Sequence, residues 1–230
     1  NFGGEPMFGL GVLNIASPES EQLMMAFPIG IICGFVGGLF NRGLVWLTRR
    51  LAPVVRSRPL QTGLCLGGGL TALALLSWGT STSDGEALVK QLIEEGMPNA
   101  LGNDQHLTSG LTSIWITLVR VVGPMLALSP GVPGGLIDPS LTFGAVLGYT
   151  ICAVVGVSSQ LGIGLGLAAG LSGATQLPLV SIVFSWRLAG DQQLFAGVVL
   201  ASVLAAYTGR LVCRDPVYHG LSKLQSAPRR

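Results

Sequence analysis

The sequence predicts an all-α fold: a polytopic membrane protein with tilted and discontinuous helices. Three observations predict it. Charged residues make up 10% of the 230-residue chain, where a soluble domain carries about 25%. The charges that exist are confined, because no Asp, Glu, Lys or Arg occurs in 22–41, 59–83, 139–186 or 192–209. A bilayer core is crossed by about 20 apolar residues, so each window supplies a crossing or something near one. Finally, prolines and glycines crowd into "PGVPGGLIDPSLTFGAVLG" at 130–148, in the midst of apolar sequence. Both residue types disfavour a continuous helix. Non-helical backbone at membrane depth survives only where protein buries it or a cavity wets it.

The elements follow in order. "NFGGEPMFGLG" lacks the basic start of a signal peptide and reads as a loop. Ser20 to Arg50 reads as one long helix, with Ser20 as N-cap, Glu21 in the first turn, and Gly37 and Gly38 suited to close helix contact. Pro53 is expected to end it, and Leu60 to Trp78 forms a second, Gly-rich span. The polar stretch Ser83 to Gly96 has helical spacing at Leu88, Leu92 and Ile93 but is too short and charged to cross. Thr108 to Leu128 is an apolar helix interrupted by Arg120 and Pro124. After the broken stretch come Leu136 to Val155, a short Gly-rich segment at 161–174, a second short segment at 178–188, and Leu194 to Val212. Several of these are too short for a plain crossing, which is how many transporters build ion sites.

Charge sets the expected orientation. Arg42, Arg49, Arg50, Arg56 and Arg58 cluster without an acid among them, and a second basic group closes the chain at Arg210, Arg214, Lys223, Arg229 and Arg230. Between them, 84–104 is acidic. Basic loops stay in the cytoplasm, so the Arg42–Arg58 loop and the C-terminus are both expected there. A net charge of +2 gives no nucleic-acid surface. Cys33, Cys65, Cys152 and Cys213 stand apart, without ligand spacing, and read as small buried hydrophobes. No nucleophile motif, phosphate loop or metal-ligand cluster occurs, so neither an enzyme nor a cofactor is expected.

The segment "GGLIDPS" reads as a helix start, with Asp138 as N-cap and Pro139 in the first helical position. A helix N-terminus exposes unpaired N–H groups and about half a positive charge. Gly134 and Gly135 let an ion approach the backbone and adopt unusual torsions. Two readings remain: an anion site built from main-chain amides, or a loop-to-helix junction buried by neighbouring helices. A carboxylate at about 4 Å from a bound anion would repel it by about 4 kcal/mol at an effective dielectric near 20. Asp138 is therefore expected to fold back onto the amides of Ser140 or Leu141. Arg187, inside an uncharged helix, is either functional or snorkels to an interface.

The stretch "SPGVPGGLIDPSLTFGAVLG" resembles the signature of the CLC family of chloride channels and chloride/proton antiporters. "GLGLAAGLSGATQLPLVSIVF" resembles the short helix pair that follows it, and "CRDPVYHGLSKL" the terminal segment with its Pro-x-Tyr turn. The resemblance implies that 20–230 is the C-terminal half of a CLC-type transmembrane domain and that 1–19 is a linker between halves. It implies a chloride held by the amides after the signature glycine, Gly135, which fall on Leu136 and Ile137, and closed by the Tyr218 hydroxyl. The alternative for Tyr218 is an interfacial belt aromatic, and the Pro216-Val217-Tyr218 context favours the ion role. A homodimer through helices in 176–212 is implied, each subunit with its own pore. The family's serine loop and gating glutamate belong to an N-terminal half that nothing here matches. The resemblance thus leads one to expect a fragment, one part of a split protein, or a degenerate relative. The alternative to anion transport is a non-transporting membrane scaffold or assembly subunit.

Overall fold

A computed structural model describes residues 23–77, 85–94, 107–131, 134–189 and 194–214. Eight helices lie among them: α1 (Ala26–Ser57), α2 (Pro59–Leu76), α3 (Gly85–Glu94), α4 (Leu107–Leu128), α5 (Ile137–Val155), α6 (Ser159–Thr175), α7 (Pro178–Ala189) and α8 (Phe195–Val212). The expected all-α architecture is what forms, with most boundaries within two residues of those expected. Ser20, residues 1–19 and Tyr218 lie outside the described residues.

Helix α1 differs from expectation at both ends, since it begins at Ala26 with Met25 as N-cap, where the sequence predicts one helix from Ser20. Helix α1 runs for 32 residues straight through Pro53 to Ser57. It is about 48 Å long, against a hydrocarbon core of ~30 Å. A single residue, Arg58, separates it from α2, which begins on Pro59. Arg58 N–H still donates to Val54 O at 2.8 Å, and Thr62 Oγ1 returns to Arg58 O at 2.9 Å. The basic cluster 42–58 is therefore the last turns of a helix and its cap, and not a loop. Helix α4 likewise continues through Arg120 and Pro124. Proline removes one hydrogen bond, but unwinding would leave several backbone groups unsatisfied in an apolar setting, which costs more.

Helix α6 occupies the centre, with every residue from Leu161 to Thr175 buried. Its composition explains how. A Cβ added at Gly144 or Gly148 of α5 would meet the backbone of Gly166 or Gly162 of α6, and one added at Gly170 would meet Ser140 O. The two backbones thus touch along a ladder of glycines four residues apart, the small-residue contact that substitutes for a hydrophobic driving force in lipid. On the opposite side, Gly34, Gly37 and Gly38 of α1 lie against Ala205 and Gly209 of α8 and Gly173 of α6. Buried polar bonds fasten the layers. Ser172 Oγ donates to Ser202 O at 2.6 Å, and Asn41 Nδ2 to Ala174 O at 2.5 Å.

Other elements are less enclosed. Leu88, Val89 and Leu92 bury one face of α3 against Leu141, Ala145 and Leu167. Helix α2 is nearly bare, with Thr62 its one buried residue and Leu60, Leu64 and Leu75 more than 70% exposed. Such a surface suits lipid. Cys33 and Cys152 are buried as expected, whereas Cys65 is exposed on α2 and Cys213 half-buried. Cys65 follows its helix, which no layer of the described residues buries.

Candidate anion site at the start of α5

Leu136 is the N-cap of α5, with backbone torsions in the helical region and no side-chain capping bond. Ile137 is therefore the first helical residue, Asp138 the second and Pro139 the third. The expected roles of Asp138 as cap and of Pro139 at the first position are corrected by two residues. The physical reason is that the first four N–H groups of any helix lack an intrahelical acceptor, so proline fits the third position as well as the first. Ser140 Oγ and Thr142 Oγ1 each donate to the carbonyl one turn back, Leu136 O at 2.5 Å and Asp138 O at 2.7 Å.

The Asp138 side chain goes elsewhere. A Cβ built on Gly85, the first residue of α3, would collide with Asp138 Oδ1, with Thr142 Oγ1 at 2.5 Å and with Asp138 Cγ at 2.6 Å. The carboxylate thus sits on the N-terminal end of α3, where a helix dipole favours negative charge. The Ser140 amide, one of the two expected to receive it, donates instead to Leu136 O at 3.3 Å within the helix. We expect Asp138→Ala to lower thermal stability by about 0.3–1 kcal/mol, the scale of a charge at a helix end. A melting curve unchanged from that of the parent protein would show that the contact contributes nothing.

The glycines before the helix divide their roles. Gly131 takes the positive φ of +84°, whereas Gly134 and Gly135 are not in the left-handed region. A Cβ on Gly135 would meet no described atom within 4 Å, and both Gly134 and Gly135 are exposed. Among the described residues, nothing fills the space beside Gly135 in front of the first α5 turn. Leu136 is buried with Phe40, Leu44, Phe143 and Ala174, and the Phe40 and Phe143 rings lie 6.2 Å apart. That cluster fixes the direction in which the α5 N-terminus points. Ile137 is 39% exposed.

The same end of the α5–α6 pair carries two residues that the sequence reading did not single out. Asn41 is fully buried and holds the last turn of α6. Gln176 caps α6 in the left-handed conformation, φ 57° and ψ 28°, and its Nε2 donates to Cys213 O at 2.6 Å. Their signal in the sequence is a polar amide within a long charge-free window, Asn41 at the end of 22–41 and Gln176 inside 139–186 directly before Leu-Pro. Arg187 lies exposed in the last turn of α7, beside Trp186, whose ring meets Phe195 edge-on at 5.9 Å. A cation in that turn matches the helix dipole and the snorkelling reading.

Comparison with known proteins identifies the family. The chain is 25% identical over 212 residues to the voltage-gated ClC-type chloride channel ClcB of Salmonella typhimurium, across 87% of this chain and 46% of that protein. It is 26% identical over 224 residues to the H(+)/Cl(-) exchange transporter ClcA of Vibrio campbellii, across 89% of this chain and 43% of the relative. The crystal structure of a slow cyanobacterial Cl−/H+ antiporter matches the fold with a TM-score of 0.54 at 18% identity, over 86% of this chain and 48% of that one. The chain spans about half the length of these relatives. Among the described residues, four helices, α1, α2, α5 and α8, are long and apolar enough to cross a membrane. The voltage gated chloride channel family model matches residues 1–210, and the chain belongs to that family of integral, multi-pass membrane proteins.

Proposed function

We propose that this chain forms the C-terminal half, 20–230, of a CLC-type transmembrane domain that moves chloride or a similar small anion across the membrane, with 1–19 as the linker between halves. The observation that carries the reading is the first turn of α5. Its amides at Leu136 and Ile137 open a helix with an aromatic-backed N-cap, follow a Gly135 at which an added Cβ would meet no described atom, and have the nearby carboxylate of Asp138 placed against Gly85 of α3. An anion held by backbone donors there would be stripped of water yet weakly enough bound to leave. Tyr218 closes the site from the cytoplasmic side, and an N-terminal half supplies the remaining ligands and the gating glutamate. The C-terminus and the basic end of α1 face the cytoplasm. Two such subunits pair through α7 and α8, whose Leu179, Val183, Tyr207 and Leu211 are at least 60% exposed.

Crystals of the complete protein grown in bromide test the site directly. Anomalous density is expected within hydrogen-bond reach of the Leu136 or Ile137 amide, and density found only elsewhere sinks the reading. Tyr218→Phe is expected to weaken anion binding by ~1.5–3 kcal/mol at most, one hydrogen bond to a charge. An unchanged binding isotherm would exclude a direct bond from that hydroxyl.

A further inference from the structure

We propose that the exposed face of α1 from Arg42 to Arg56 binds anionic phospholipid headgroups where the helix leaves the hydrocarbon of the bilayer.

One side of α1 changes chemistry along its length. Positions 31, 35, 39, 42, 46, 49, 53 and 56 advance in steps of three and four, so they share one face of the helix. Over its first part that face presents Ile31, Phe35 and Leu39, all exposed. From there it presents Arg42, Trp46, Arg49 and Arg56, with Arg50 beside them, and these are exposed as well. Leu44 and Thr48, on the opposite side of the same turns, are buried. A face that is apolar and then basic matches a phospholipid, acyl chains first and phosphate after.

The length of the helix sets the change at a suitable depth. About 20 helical residues span a hydrocarbon core of ~30 Å, and counted from Ala26 they end near Val45. Arg42 lies within one turn of that boundary, where a long side chain reaches outward to water. Trp46 falls on it, at the level that interfacial aromatics favour, and the Arg50 guanidinium lies 5.7 Å from its ring centroid. Arg49, Arg50 and Arg56 follow in the headgroup zone. No Asp or Glu occurs in 22–83, so neither α1 nor α2 supplies an acid to neutralise them. A guanidinium fork fits phosphate oxygens in pairs, and basic clusters beside a membrane span attract anionic lipid. The fold enlarges the cluster. Gly38 of α1 packs on Gly209 and Val212 of α8, which brings the exposed Arg210 and Arg214 to the same end. A soluble phosphate would use only the basic part of this face, whereas a phospholipid covers both parts.

The test uses the complete protein in neutral detergent and compares binding of a short-chain phosphatidylglycerol with that of phosphatidylcholine of the same chains. The parent is expected to prefer phosphatidylglycerol by at least about tenfold, and the preference to shrink as added salt screens it. Each arginine removed is expected to weaken phosphatidylglycerol binding about fivefold, so Arg42→Gln/Arg49→Gln/Arg50→Gln loses the preference. Arg187→Gln, in the last turn of α7 beside the start of α8, removes a charge from the other end of α8 and is expected to match the parent. Inorganic phosphate at the concentration of the lipid is expected not to displace it. A parent without the preference, a triple Gln variant that keeps it, an equal loss in Arg187→Gln, or displacement by inorganic phosphate would each overturn the lipid surface.

Discussion

Alanine at Gly148 is expected to destabilise the protein by about 3 kcal/mol or more, the upper range for overpacking a rigid contact. Elsewhere in a helix the same change is favourable by roughly 0.5–1 kcal/mol, because glycine loses more freedom on folding. The sign reverses here because of what the methyl group meets. It would enter the Gly162 peptide, with Gly162 C at 2.7 Å and Gly166 Cα at 3.0 Å. Those are backbone atoms of a buried helix, and no side chain can rotate away. Helices α5 and α6 would have to separate, and with them the buried Leu161–Thr175 run that contacts α1 and α8. Gly68→Ala is the matched control, since a Cβ there meets nothing within 4 Å. It is expected to leave the melting temperature unchanged or raise it. Thermal unfolding of both variants in detergent decides the matter, and a Gly148→Ala protein that melts with or above its parent would refute the backbone-contact account.

Much of the fold was legible because its signals are local. Charge-free windows and proline or glycine stops placed the helices, and the short Gly-rich segment at 161–174 became the buried α6. What escaped the sequence was set by distant partners. Pro53 and Pro124 read as breaks, yet both helices continue; around Pro124, lipid offers an unwound backbone no hydrogen bonds. The pair Asp138-Pro139 looked like a cap and first position, but its carboxylate is drawn to Gly85 of α3, far away in sequence. Asn41 and Gln176 reach acceptors 133 and 37 residues away, which no periodicity announces. At the site itself, the helix start was readable from Gly-Gly and Asp-Pro, while the frame of its first turn needed the fold.

Replacing the Ile137 peptide N–H by an ester oxygen is expected to lower anion affinity roughly tenfold to a hundredfold, from losing ~1.5–3 kcal/mol of a hydrogen bond to a charge. The substitution suits this position. Ile137 is the first residue of α5, so its N–H makes no bond within the helix, and the ester removes a donor that the fold does not use. Proline would remove the same donor but would disfavour the helical torsions of Leu136, φ −92° and ψ −15°. The side chain provides the complementary control. If the amide is the ligand, Ile137→Phe changes bulk beside a 39% exposed position and leaves affinity within about twofold, as a surface substitution should. An ester at Thr150, in the middle of α5, costs one helix bond of about 1 kcal/mol and should lower stability without touching affinity. The three proteins separate a backbone anion site from a structural junction. If the Ile137 ester binds chloride as tightly as the parent while an equivalent ester at Leu136 also has no effect, the first turn of α5 holds no anion and the transport reading loses its site.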